Sequence, residues 1–401
     1  MKAANCIFRS VLLVGITAAC SSGYDGVFAP KTLERLQQVV DWIYRMQYAD
    51  AASLCQKMIG EDPTDPAGYV YLARTYWIEA LSSEQALTLE RFAASDFFSE
   101  LPGYKVVVDP ALEARLRKAS EEGIARAKQR IASNAGDLQA LYLLGIAYQN
   151  LASFEASFKR NWWPAVQLGS KTDHYHREVL ARSPDFSDAQ LTVGVSHYLV
   201  GAVSWKVKWL SFLLGYHGDR RRAITEIEAV AHHGLLASDD ARIVLTLAYT
   251  RERQDQKAFD TLSELHARFP ENYLVPLAMG AVALRMNQPD RSAAIYLDLL
   301  QGYSIQKYSG LESSTVYNRL GVVSRVKGDL PAAIDWFRKT LDEASASNRS
   351  KTVARLEMGK TLDLMGRRSE ALQQYRAVEG ADDFAGSHLE ARKLIARPFQ
   401  P

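Results

Sequence analysis

Cysteine is nearly missing from this 401-residue chain, with Cys6, Cys20 and Cys55 the only three. That scarcity excludes a disulfide-stapled scaffold, and with no C-x-x-C spacing it also excludes dithiol redox chemistry. Neither sign of charge is in excess. Lys and Arg number 48 against 46 Asp and Glu, a formal net charge of +2, so there is no basic stripe for a phosphate backbone, and nucleic acid is not an expected partner. Low-complexity tracts are absent, as are G-x-S-x-G and H-E-x-x-H. What the chain does have is apolar mass: 47% of its residues are hydrophobic, enough to bury a sizeable core in an ordinary globular protein.

Groups that could carry chemistry are scattered. Residues 354–361, ARLEMGKT, fit a loose phosphate-loop pattern with Ala354 in place of the first Gly. They fall inside a predicted helix, where no backbone N–H groups are free to hold phosphate. His174 and His176 are two apart on a helix and face different ways, and His232-His233 sit near a helix end, where a cation suits the dipole. Glu121-Glu122 read as solvated helix surface and Asp239-Asp240 as a helix start. No catalytic residue, metal ligand or cofactor is expected, and the chain reads as a non-enzyme.

Residues 1–19 form an export signal. Lys2 and Arg9 are its basic region, residues 11–16 its apolar stretch, and Thr17-Ala18-Ala19 the small residues an export peptidase requires. The apolar run is far too short to span a bilayer. Cleavage after Ala19 leaves Cys20 first, followed by Ser21-Ser22-Gly23, which resembles the lipobox of bacterial lipoproteins and implies acylation of Cys20. Thr17 departs from the usual Leu, Val or Ile at that place. Ordinary cleavage after Ala19 or Ala29, giving a soluble periplasmic or secreted chain, is the alternative. Acylated Cys20 would leave Cys55 as an unpaired, inert core thiol. The expected location is periplasmic and membrane-anchored, with residues 20–30 as a linker.

Beyond residue 30, apolar residues recur at three- and four-residue spacing without sustained alternation, so an all-α fold is predicted. Tyr317, Leu320-Gly321, Gly328-Asp329, Ala333 and Phe337 form a motif that returns 38 residues later as Met358-Gly359, Gly366, Ala371 and Tyr375. Earlier copies run through Tyr249, Ala258, Leu262, Leu265 and Pro270, through Met279-Gly280, Tyr296 and Leu299, and first through Trp42, Ala51, Cys55, Met58 and Pro63. This order is similar to the tetratricopeptide motif. Small residues admit close approach of paired helices, large ones fill the gap between repeats, and proline stops the second helix. The resemblance implies an α-solenoid of about eight helical hairpins with a capping helix near residues 386–396. The chain divides at residue 235, with irregular repeats over 31–235 and regular ones over 236–401.

The irregularity lies in units two to four. Their first helices end near Tyr76, Tyr148 and Tyr198, yet their second helices are predicted to begin only near residues 112, 171 and 219. The intervening insertions are rich in aromatics: Phe92, Phe97 and Phe98, then Phe154, Phe158, Trp162 and Trp163, then Trp205, Trp209, Phe212 and Tyr216. Two readings stand, a secondary core and an aromatic-walled pocket. Residues 199–216 could instead lie in a bilayer surface. Residues 209–234 resemble a segment of the eukaryotic inclusion-body-clearance family of tetratricopeptide proteins. The order K-x-x-x-Y-H-R-x-V-L-x-x-x-P-x-F-x-D-A, from Lys171 to Ala189, resembles bacterial tetratricopeptide proteins, and the whole faintly resembles the lipoprotein component of tripartite periplasmic transporters. These resemblances imply a scaffold or binding protein.

Motif position also sorts the inner face. Tyr142, Ile146, Leu191, Val195 and Tyr198 should face the concave side of units three and four and need a cover, for which the insertions are the expected one. Asn318, Arg325 and Lys360 should line an open, polar groove in units seven and eight. The expected function is therefore a scaffold that binds a protein or peptide there. The alternative is a binding protein for a small apolar or aromatic ligand beneath Trp162, Trp163, Trp205, Trp209 and Phe212, serving a transporter.

Overall fold

Helix signals in the sequence are caps and turn residues, and they act where the motif puts them. The computed structural model describes residues 27–83, 108–202, 219–384 and 386–400. Among these, α1 (Pro30–Tyr44) pairs with α2 (Tyr48–Glu61), α3 (Pro66–Ser83) with α4 (Pro110–Ser133), α5 (Leu138–Phe154) with α6 (Trp162–Arg182), and α7 (Ser187–Ala202) with α8 (Arg220–His233). The series continues as α9 (Ser238–Arg251) with α10 (Asp255–Arg268), α11 (Leu274–Arg285) with α12 (Pro289–Ser304), α13 (Ser313–Val326) with α14 (Leu330–Asp342), and α15 (Asn348–Leu364) with α16 (Arg368–Glu379). One further helix, α17 (Ser387–Ala396), closes the row. The chain is an all-α, tetratricopeptide-like solenoid, and no strand occurs among the described residues.

Local chemistry sets the hairpin ends. Asp109, Asp137, Asp219, Asp329 and Ser347 each accept a backbone N–H of the first turn of the helix they precede, satisfying donors that have no partner within the helix. In units one and five to eight the turn between the paired helices needs one left-handed residue, supplied by Met46, Arg253, Asn287, Gly328 and Gly366. Between the helices of a pair, small faces large. A Cβ on Gly280, Gly321 or Gly359 would lie 2.4 Å from the ring of Tyr296, Phe337 or Tyr375 respectively. The ring belongs to the residue sixteen places on, and all three rings are buried. The same contact pairs Gly145 with His176 and Gly194 with Ile227, where the extra chain length of units three and four lies between the partners.

The insertion of unit three is not a separate side structure. α5 continues to Phe154, a π-helical turn follows over Glu155–Lys159, and α6 begins at Trp162, nine residues earlier than the motif spacing predicts. Both helices of the hairpin are simply longer. Trp162 and Trp163 thus form the first turn of α6, where the 3.6 periodicity that places Ala165 and Thr172 inside extends back to Trp162 and leaves Trp163 facing outward. Residues 84–107 and 203–218, which hold the other insertions, lie outside the described residues.

The curvature of the row brings distant units together. Tyr44, at the end of α1, stacks on Phe269 at 5.1 Å and donates a 2.6 Å hydrogen bond to Asp240 Oδ1. Arg74 of α3 donates to both oxygens of Asp240 at 2.6 and 2.7 Å. Asn272 donates to the Tyr44 carbonyl at 2.8 Å, and Arg45 pairs with Glu271 at 3.1 Å. These contacts clasp units one and two onto units five and six. Asp239-Asp240 do start α9, as expected, but both are bound: Asp239 is buried and takes Arg268 at 2.6 Å.

Candidate functional site

The inner face of units three and four is covered, and the first cover is the chain just before α1. Phe28 meets Tyr142 edge-on at 6.0 Å and stacks on Phe186 at 6.3 Å. Val27 and Phe28 are buried in one core with Tyr142 and Ile146, so the end of the stretch read as a linker is packed. Leu191 and Tyr198 belong to the next core, against which Tyr44 packs, and Tyr198 donates to Glu252 at 3.2 Å. An apolar inner face is thus satisfied by apolar groups of units one and five, as burial requires.

The aromatic residues named for a pocket fare differently. Trp163 is 71% exposed and walls nothing. Trp162 is half-buried, with the Arg160 guanidinium 5.6 Å from its ring, while Phe154 and Phe158 are core residues 5.3 Å apart. Trp205, Trp209 and Phe212 lie outside the described residues, as does Cys20. A cleft of about 450 Å³ does exist elsewhere, between α8, α9 and α10, lined by Leu245 and Tyr249 together with Glu228, Arg242, Lys257 and Glu264, and none of its lining residues comes from the aromatic insertions. Cys55 is buried in α2, and burial pushes its thiol up to about 12. His174 is exposed and His176 buried, on opposite faces of α6. Among the described residues no cluster of three metal-ligating side chains occurs, and no helix is long and apolar enough to cross a membrane.

His176 stands out chemically. Its Nε2 lies 3.1 Å from the Tyr142 carbonyl and its Nδ1 2.8 Å from Thr192 Oγ1. A carbonyl only accepts, so Nε2 carries the proton and Nδ1 receives the threonine hydroxyl. The ring also stacks on Tyr142 at 5.1 Å. Burial pulls its pKa down to about 4, against which the Tyr142 carbonyl and the Asp173 charge act weakly. This is a neutral packing histidine filling the place that Phe337 and Tyr375 fill in later units.

The groove of units seven and eight is the site that remains. α13 presents Asn318 and Arg325 seven residues apart, hence on one face, and α15 presents Glu357 and Lys360 three apart. Arg325 and Lys360 are brought together. Both bind Glu357, at 2.6 and 2.7 Å, and Lys360 also reaches Glu390 of α17 at 2.5 Å. Burial works against ionisation of Glu357, yet Lys360 and Arg325 outweigh it and hold its carboxyl below the usual range. Asn318 is not with them: it is buried, donating to the Ser350 carbonyl at 2.9 Å and accepting from Thr340 at 3.1 Å. It ties α13 to α14 and α15 and is unavailable to a partner.

Nor is the groove open. The chain leaving α17 crosses it, placing the Phe399 ring 5.4 Å from the Arg325 guanidinium and 5.8 Å from the Lys360 ammonium. The Phe399 N–H donates to Asp363 Oδ2 at 2.9 Å. Asp363 has a fully buried side chain that also takes Arg368 at 3.0 Å and the Tyr375 hydroxyl at 2.8 Å. Motif position also puts Asp363 on the inner face with Lys360, whereas Glu357 and Phe399 were not singled out from the sequence. The three-residue spacing of Glu357 and Lys360 was a signal for the ion pair, whereas nothing local marks Phe399 as their neighbour.

With fold and site defined, the chain can be set beside known proteins. No protein-family model and no curated protein matches it. Among solved structures it is similar to yeast Tom70, at 12% identity over 88% of this chain and 86% of that one, with a TM-score of 0.40. It is similar to a tetratricopeptide repeat protein from Parabacteroides merdae, at 12% identity over 82% and 99%, with a TM-score of 0.34. It is also similar to human IFIT1, solved as a dimer with m7Gppp-AAAA, at 11% identity over 94% and 89%, with a TM-score of 0.40.

Proposed function

We propose that the chain is a non-catalytic repeat scaffold that binds an extended protein segment in the inner groove of units seven and eight. The observation that carries this is Phe399: an extended segment already lies there, with its ring against Arg325 and Lys360 and its backbone on Asp363. A groove between stacked helices that offers one aromatic seat and one backbone acceptor has the parts a peptide site needs. The Thr-Ala-Ala-Cys junction at residues 17–20 supports placing the scaffold at the periplasmic face of a bacterial membrane, tethered through acylated Cys20.

The test replaces the polar seat without stranding a buried charge. In the full chain, Arg325→Met, Glu357→Gln and Lys360→Met together should abolish co-purification of the partner from solubilised membranes. A partner retained in full by that variant overturns the groove as the binding site.

A further inference from the structure

Arg368 fixes where the chain leaves the last helix. Its Nη2 donates to the Leu394 and Ile395 carbonyls at 2.8 and 2.7 Å, while its Nη1 is held by Asp363. The exit point of α17 is therefore rigid relative to α15. Arg397 is extended, with φ −141° and ψ 133°, the conformation that the following Pro398 favours. The backbone so directed brings Phe399 over the seat. There only one side chain is gripped: Phe399 is half-buried, whereas Arg397, Pro398 and Gln400 are exposed. One ring and one backbone hydrogen bond to Asp363 hold the segment, a weak attachment beside a seat that is itself firmly built.

The seat also states what it accepts. Arg325 and Lys360 are already paired with Glu357 and Glu390, so an acidic side chain would bring charge that nothing there is left to neutralise. An aromatic ring needs no counter-charge, because the negative face of its quadrupole attracts cations such as Arg325 and Lys360. The backbone acceptor, Asp363, is satisfied by any residue with an N–H. The recognised class is therefore an extended segment carrying an aromatic residue, entered through a proline.

We propose that residues 397–400 are an internal competitor, occupying an aromatic-peptide site on units seven and eight until a partner segment displaces them. This rests on reading the groove as a binding site. The probe is a synthetic peptide of residues 394–401, LIARPFQP, labelled at its amino end and followed by fluorescence anisotropy against the full chain. A Phe399→Ala chain, whose own ring is gone, should bind the peptide at least tenfold more tightly than the wild-type chain. A peptide with alanine at the phenylalanine should bind neither, and a Phe399→Leu chain should fall between, because it keeps apolar bulk but loses the ring. Phe399 is only half-buried in the last described stretch, so the fold survives both substitutions. Equal binding to wild-type and Phe399→Ala chains overturns the proposal, and so does no binding to either. If the peptide behaves as expected but the membrane partner survives the Arg325, Glu357 and Lys360 variant, the internal site stands and the scaffold reading falls.

Discussion

Acidification should loosen the solenoid at unit three, because His176 is folded in its neutral form. The sign follows from the direction of its shift. Burial takes its pKa from about 6.5 in the unfolded chain to about 4 in the fold. The unfolded chain then binds the extra proton first, so stability is complete above pH 6.5 and is lost as the pH falls towards 4. At 1.4 kcal/mol per pH unit the loss from this one group is about 2 kcal/mol at pH 5 and about 3 kcal/mol at pH 4. Carboxylates held below their usual range, such as Glu357 beside Lys360 and Arg325, add their own loss at the acid end of this range, so the measurement must be a difference. His176→Phe keeps a ring against Gly145, as Phe337 does against Gly321, and cannot titrate. Urea unfolding of both proteins from pH 7.5 to pH 4 should show stability curves that diverge by those amounts, the wild type falling faster. Parallel curves would refute the neutral, buried histidine.

Other perturbations test the packing, the clasp and the anchor. Gly321→Ala puts a Cβ 2.4 Å from the buried Phe337 ring and should cost about 2 kcal/mol in chemical denaturation, most of it recovered by Phe337→Leu in the same chain. Asp240→Ala leaves Arg74 buried without its carboxylate and should cost about 3 kcal/mol, whereas Tyr44→Phe, which removes one hydrogen bond, should cost about 1 kcal/mol. Cys20→Ser should stop incorporation of labelled fatty acid and move the protein to the soluble fraction. A wild-type chain that is already soluble, with an unmodified amino terminus, would defeat the anchor.

The repeat was legible because its energetics are local in sequence. Gly321 and Phe337 are one hairpin apart, as are Gly359 and Tyr375, so their spacing alone announces the contact, and α17 falls where the last motif leaves an apolar face uncovered. The start of α6 was misplaced for the converse reason: Trp162 and Trp163 look foreign to the motif, but helix propagation costs little once α6 exists, and the hairpin lengthened instead. Contacts set by curvature could not be read at all. Asp240 meets Arg74 across 166 residues and Phe28 meets Tyr142 across the first two units of the row, and no periodicity encodes either. The groove was half legible, since motif position put Arg325 and Lys360 on one face. It also put Asn318 there, which the closeness of Ser350 and Thr340 draws inward.

The central claim is that this groove exists as a seat and that residues 397–400 fill it. The direct measurement is photocrosslinking from a benzoylphenylalanine introduced at position 399 of the full chain, followed by mass spectrometry of the adducts. A seated Phe399 gives intramolecular adducts on 313–326 and 348–364, independent of protein concentration and suppressed by excess LIARPFQP peptide. Adducts spread over other units, or adducts on those helices that the peptide leaves untouched, would contradict it.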